Sequence, residues 1–340
     1  LGDSGSGDGC PRKWAYEKLF GKKPPETKAQ GIGKEVHAQL EEYEKTGVNV
    51  LGSLAMRGKH MVPEPGPDLL VEHDICIPPE LEAQAKLRIQ AGDQEGADKL
   101  RASATLAKAP LRLLGIPVFG YVDLAHDRAT NQGADNIEDA IDLPGTVEVL
   151  DWKTTSKPMY IKTKQEMSQT IQMTLYAAWA LKFWSHAQRV RLSHGYFVTQ
   201  GSTAPKKVSM IVLPDQVDRQ WARVERVGRE LLDVMKEKDI DKIPANLNAC
   251  GAYGGCPHRR ECKAGTQGGL AKFFGVAGAA RIAAAAQNRT KSMTSDTTTP
   301  ISPRRGGLLG LGKAKTEVVS ASTPSPEALK AEMTRLAREE

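Results

Sequence analysis

A chain of 340 residues can bury a full hydrophobic core without disulfide staples, so its length excludes little beyond the small cysteine-bridged modules. No run of about 18 apolar residues occurs, and the N-terminus lacks the basic-then-apolar order of a secretory signal, so neither a membrane span nor a secreted protein is expected. A formal net charge of +6 eases an encounter with polyanions without specifying one. The chain begins at Leu1 rather than Met, which leaves room for missing N-terminal residues.

Taken in chain order, residues 1–9 are a Gly/Ser/Asp segment expected to be flexible. "CPRKWAYEKLFG" predicts a short helix with Pro11 in its first turn and Gly21 at its end. "QGIGKEVHAQLEEYEKTG" predicts a longer one: Ile32, Val36, Leu40 and Tyr43 recur at helical spacing, and Gly47 closes it. His37 lies at the edge of that stripe, and Gly33, one turn earlier, leaves space for a close approach.

"LLVEHDICIP" and "VFGYVDLAHD" predict strands on either side of an Ala-rich, charged stretch, residues 80–109, that reads as helix. An acidic, turn-rich loop follows over 128–145, then the strand "TVEVLDWKTT", which would pair with "VFGYVDLAHD" as a hairpin with a long tip. The carboxylate spacing of that loop does not fit an EF-hand. "TKQEMSQTIQMTLYAAWALKFWSH" is apolar on nearly every side over its second half, as for a helix buried against a sheet. Two more strands, "VRLSHGYFVTQ" and "KKVSMIVLP", and the amphipathic helix "PDQVDRQWARVERVGRELLDVMKE" complete the ordered part. Residues 266–324 read as a disordered linker, and 325–340 as a terminal helix with Ser325 as N-cap, suited to docking on a partner.

Phosphodiester hydrolysis requires a hard cation held against a phosphate, a means of deprotonating water, and charge that neutralises the oxygens. Asp123 and Asp151 fall on the two strands expected to pair, so their carboxylates can converge at one end of a hairpin. Lys153 shares a face with Asp151 because alternate strand residues point the same way, and Trp152 points to the other side. Gln172 and Tyr176, four apart, share a helix face, and a glutamine on so apolar a helix needs a partner such as a phosphate or a lysine. Taken singly, each of these has a bland reading: His37 as a packing or surface histidine, Asp123 as a turn cap, Asp151 and Lys153 as a solvated ion pair. Glu72 and Glu148 could assist the metal site but read equally as exposed strand positions and are left outside it; Cys76 reads as core packing, and His258, which could compete as a ligand among the cysteines, as a surface residue.

Together and in order, Gly33 to His37, Gly120 to Asp123, Asp151 to Lys153 and Gln172 to Tyr176 resemble the RecB-like branch of the PD-(D/E)XK nucleases. The motifs of that branch are G-x-x-x-H on a helix, G-x-x-D and D-x-K on strands, and Q-x-x-x-Y on a helix. The resemblance covers roughly residues 10–262, and residues 10–265 would form one nuclease domain. It implies an α/β fold: a restriction-endonuclease-like core whose central mixed β-sheet is flanked by helices. It further implies that His37, Asp123 and Asp151 bind Mg²⁺ or Mn²⁺, that Lys153 orients water or stabilises the transition state, and that Gln172 and Tyr176 position the DNA strand.

The cysteines extend the resemblance to the iron–sulfur subset, which includes the AddB nuclease domain and the CRISPR-associated RecB-like exonucleases. There, one cysteine before the nuclease core and three after it ligate a [4Fe–4S] cluster. Here Cys10 precedes, and Cys250, Cys256 and Cys262 follow, which implies an Fe–S lobe joining the N- and C-terminal segments. The five residues between Cys250 and Cys256 exceed the usual gap, which keeps zinc as the second candidate occupant. The odd count of five cysteines and their clustering argue against a disulfide framework.

The implied function is a metal-dependent exonuclease acting on single-stranded DNA or duplex ends in recombination, repair or phage DNA processing. Its implied location is the cytoplasm of a bacterium or phage-infected host. The competing expectation is a catalytically inactive DNA-binding module, or a zinc-stapled accessory subunit of a helicase–nuclease complex. No Walker A sequence is present, so helicase activity would come from a partner.

Overall fold

The computed structural model describes residues 9–104, 108–127 and 145–264. The linker and terminal helix expected beyond residue 265, the first eight residues and nearly all of the acidic loop lie outside them. The chain divides into two units, residues 1–11 with 23–238, and residues 12–22 with 239–340.

The first unit is built on a five-stranded mixed sheet of order β1-β4-β5-β6-β7. These strands are β1 (Leu70–Asp74), β4 (Tyr121–His126), β5 (Thr146–Thr155), β6 (Arg189–Val198) and β7 (Lys206–Val212). All pairings are antiparallel except β5 with β6. A two-stranded hairpin of β2 (Arg112–Leu113) and β3 (Ile116–Pro117) precedes β4. Helices cover both faces. α2 (Lys28–Thr46) packs Val36, Leu40 and Tyr43 with Leu124, Leu150, Trp152 and Phe197 on one side. On the other, α7 (Ile171–Phe183) joins Val122, Ala125, Val147, Val149, Leu192 and Tyr196. This is the helix-flanked mixed sheet expected from the sequence, and the β4–β5 pair is the expected hairpin.

Local signals account for the boundaries. Thr27 caps α2 in a capping box with Gln30, and Gly47 ends it in the left-handed region at φ 71°. The stretch expected to be one helix over 80–109 is two, α4 (Pro79–Gln90) and α5 (Gln94–Ala102), because Gly92 turns at φ 81° and Asp93 caps the second. Likewise the single helix expected after β5 is α6 (Lys164–Ser168) and α7, since the Thr170 side chain accepts the Met173 N–H and starts a new helix. β1 is shorter than expected: Cys76 lies in a turn after it, buried as core. The short helix α3 (Ser53–Arg57) and the β2–β3 hairpin were not legible in the sequence, and α8 (Pro214–Lys236) spans nearly the expected residues.

In the second unit, Arg12 organises the chain. Its N–H groups donate to the carbonyls of Ile243 (2.8 Å) and Asp241 (2.7 Å), and Nη1 lies 3.8 Å from Cys262 Sγ. The imidazole of His258 stacks on Tyr16 with ring centroids 4.8 Å apart and is 3% exposed, so the surface role expected for it is wrong. Aromatic stacking, which sequence spacing does not encode, buries it. Among the described residues no helix is long and apolar enough to cross a membrane.

Candidate active site

Strand alternation should put Val71 and His73 on one face, and Val122 and Leu124 on one face. They are not so placed. Val71 packs with Leu124 in the α2-side core, whereas Val122 belongs to the α7-side core and His73 meets the α7 rings of Trp179 and Phe183. Both strands therefore change sides between the register pairs Val71–Leu124 and His73–Val122, where the ladder leaves Glu72 and Asp123 unmatched. In β1 the change falls at Glu72, whose φ of 46° is in the left-handed region that a glutamate seldom adopts.

This exchange of sides gathers a donor set. Ligand atoms of His37, Glu72 and Asp123 lie within 4.8 Å of one another, and His37 Nδ1 is 3.6 Å from Asp123 Oδ2. α2 supplies His37 from the edge of its apolar stripe, with Val36 and Leu40 as its anchors. The approach is close: a Cβ on Gly33 would sit 3.0 Å from Thr154 Oγ1 of β5. The backbone N–H of Trp152 donates to Asp123 Oδ2 at 2.7 Å, which fixes that carboxylate against β5.

Asp151 faces the α7 side of β5, and its partners are protein groups. Lys153 Nζ lies 2.5 Å from Oδ2, and the Gln172 amide donates to Oδ1 at 2.9 Å. Gln172 also donates to the Tyr176 hydroxyl at 2.8 Å, and that hydroxyl donates to the Tyr121 carbonyl at 3.0 Å. Gln172 thus finds the partner it requires in Asp151 and Tyr176, rather than in a phosphate or a lysine. His194, the register partner of Asp151 on β6, brings Nε2 to 3.6 Å from Oδ2. Its Nδ1 is 3.0 Å from the Tyr196 hydroxyl.

The electrostatics follow from crowding acids in a half-buried place. Burial and the neighbouring Asp151 charge push Asp123 up to about 6, against the pull of His37, the Trp152 amide and Lys153. Burial and then Asp123 push Glu72 up to about 7. Tyr176 is also raised, by burial and by Asp151. A divalent cation is what such a set lacks, and the residues fit one: an imidazole and carboxylates are hard or borderline donors already gathered at one place.

Two of these groups escape a sequence reading. Glu72 is open in the sequence to a metal-site role, but nothing local separates that from an exposed strand position, and His194 is placed only by the parallel pairing of β5 with β6. Glu148, weighed beside Glu72, lies elsewhere, buried with Lys207 (2.7 Å), the Ser193 hydroxyl (2.6 Å) and His126 (3.6 Å). Burial raises its pKa, but Lys207 and His126 outweigh that and hold it below the usual carboxylate range.

Of the cysteines, Cys10 falls in the first unit and Cys250, Cys256 and Cys262 in the second. The Cys256 N–H donates to the Cys250 carbonyl at 3.0 Å, closing the long gap through Gly255 at φ 108°. The Cys262 N–H donates to the His258 carbonyl at 2.8 Å. No disulfide forms among the described residues.

Searches of curated proteins and of solved structures return no match. A family model, that of the PD-(D/E)XK nuclease superfamily, matches residues 7–263, well over half of the chain. Among the residues it spans, His37 lies against Asp123 and Lys153 against Asp151 on neighbouring strands of the mixed sheet, and the chain belongs to the PD-(D/E)XK nuclease superfamily.

Proposed function

We propose that the chain is a Mg²⁺- or Mn²⁺-dependent deoxyribonuclease that hydrolyses DNA phosphodiesters from strand ends, as an exonuclease of the RecB-like type. One observation carries the reading: Glu72, Asp123 and His37 are held together at a cost in burial and backbone strain that a cation would offset. His37, Asp123 and Glu72 would hold the metal, with Asp151 beside them. Bound there, it would supply positive charge to the phosphate oxygens and acidify water.

In this proposal the chain's own groups divide the remaining work. The Lys153 ammonium, paired with Asp151, stabilises negative charge on the phosphate in the transition state. Gln172 and Tyr176 act on the strand indirectly: Gln172 orients Asp151, and Tyr176, buried and bonded to the Tyr121 carbonyl, holds the start of β4 in place. Cys10, Cys250, Cys256 and Cys262 would ligate a structural [4Fe–4S] cluster, with zinc as the second candidate. The support is the sequence order of the four thiols, and anaerobic purification separates the two by colour and iron content.

The direct test is cleavage of end-labelled single- and double-stranded DNA with Mn²⁺, beside Lys153→Ala and Asp123→Ala. Degradation by the wild type and a loss of about 10²- to 10³-fold in each variant is expected. DNA binding without cleavage under any divalent metal would replace this reading with that of a binding module.

A further inference from the structure

His194 interrupts an apolar face. It stands on β6 between Leu192 and Tyr196, which belong to the α7-side core, and it is 1% exposed. Its register partner on β7 is Val208 and on β5 is Asp151, so across the sheet the ring has one polar side. Packing alone would favour another Leu or Val here, because an imidazole buried in such a layer requires polar groups for its nitrogens.

The geometry sets which nitrogen meets which group. Nδ1 lies 3.0 Å from the Tyr196 hydroxyl, and Nε2 lies 3.6 Å from Asp151 Oδ2. The Tyr196 hydroxyl accepts the backbone N–H of Lys162 at 3.2 Å and still has its own hydrogen to give to Nδ1. A neutral ring that accepts at Nδ1 carries its hydrogen on Nε2, the side of Asp151. The chain running from the Lys162 amide through Tyr196 thus fixes the tautomer next to the site.

Asp151 Oδ2 already has the Lys153 ammonium at 2.5 Å, and the imidazole stands just beyond hydrogen-bond length behind it. These two partners differ in freedom. The Lys153 side chain is 30% exposed, whereas those of Asp151 and His194 are 3% and 1% exposed. The ammonium can therefore swing toward a ligand, and the buried carboxylate cannot follow. Once the ammonium leaves, Gln172 still holds Oδ1, but Oδ2 is a buried charged oxygen in need of a donor.

We propose that His194 is a positioning residue whose Nε2–H closes on Asp151 Oδ2 and holds that carboxylate in place when Lys153 turns to the scissile phosphate. The proposal rests on the nuclease reading above for the event that draws Lys153 away, and on the geometry of β6 for the hold itself.

The test uses the full chain and three readouts. Long-range ¹H–¹⁵N spectra of the metal-free protein, with the ring assigned by its loss in His194→Gln, are expected to show the Nε2–H tautomer; an Nδ1–H or doubly protonated ring overturns the proposal. Melting temperatures of His194→Asn, Lys153→Ala and the double variant form a cycle that needs no activity. Removing Lys153 shifts the load to His194, so the double variant should melt about 2–4 °C below the sum of the single effects, and additive effects overturn the hold. The third readout is hydrolysis of bis(p-nitrophenyl) phosphate with Mn²⁺. A glutamine amide reaches the place of Nε2 and an asparagine amide only that of Nδ1. His194→Asn should therefore lose about 10- to 100-fold in kcat with KM little changed, and His194→Gln should recover most of it. Equal kcat in the two variants overturns the proposal. A wild type that hydrolyses nothing while the melting cycle stays non-additive would sink the nuclease reading and leave the hold on Asp151 standing.

Discussion

Glu72 and Asp123 bring their carboxylates within 4.8 Å of each other in the gap of the β1–β4 register where both strands exchange sides, and Glu72 holds a left-handed φ of 46° there. Two substitutions separate strain from charge. Glu72→Gln keeps the backbone problem and removes the carboxylate, so Mn²⁺ affinity, read by electron paramagnetic resonance, should fall by about tenfold or more. Glu72→Gly loses the same affinity but fits the left-handed region, so it should unfold with about 1 kcal/mol more stability than the glutamine variant. Equal melting temperatures for the two would show that Glu72 is not strained.

The raised acids set a pH dependence for the metal-free protein. Asp123 rises from 3.8 to about 6 and Glu72 from 4.5 to about 7, so the folded chain holds these protons more tightly than the unfolded one. Their contribution to stability is complete below about pH 4 and is lost as pH rises through about 7. Metal-free protein should therefore lose melting temperature between pH 5 and about 7.5 from these groups, and Mg²⁺ should restore it. Glu148 acts with the opposite sign at lower pH, because its depressed pKa adds stability that disappears on acidification. Melting curves at several pH values, with and without Mg²⁺, check both trends.

Gly195 has no room for a side chain. A Cβ there would come within 2.2 Å of the Trp152 ring, which packs directly over it. Gly195→Ala should cost about 1–3 kcal/mol by overpacking. Because Trp152 lies between Asp151 and Lys153, cleavage should fall more than stability alone explains. A denaturant titration paired with rate measurements well below the transition would reveal this; a rate equal to wild type under those conditions would show the ring moving without the site.

Glu44 accepts the buried Trp152 indole N–H at 3.1 Å, and burial holds its pKa well above the usual carboxylate range. Glu44→Gln preserves an acceptor and should leave stability nearly unchanged. Glu44→Ala strands a buried donor and should cost about 1–3 kcal/mol. If the two variants unfold alike, the indole bond contributes nothing of its own.

Much of the site is written in local sequence. The caps at Thr27 and Gly47, the stripe of Val36 and Leu40, and the alternation through Asp151 and Lys153 act within a turn or a strand, so α2 and β5 and the residues they present are legible without a structure. Periodicity is a short-range property, and short-range energies select it. What only the tertiary structure decided is which groups meet across elements. Glu72 joins His37 where the alternation of β1 breaks at a left-handed residue; His194 reaches Asp151 because β6 pairs with β5 in one parallel register; His258 is buried because Tyr16 stacks on it. Registers and stacking come from non-local packing, in which many weak contacts add, and no local pattern of residues records the outcome.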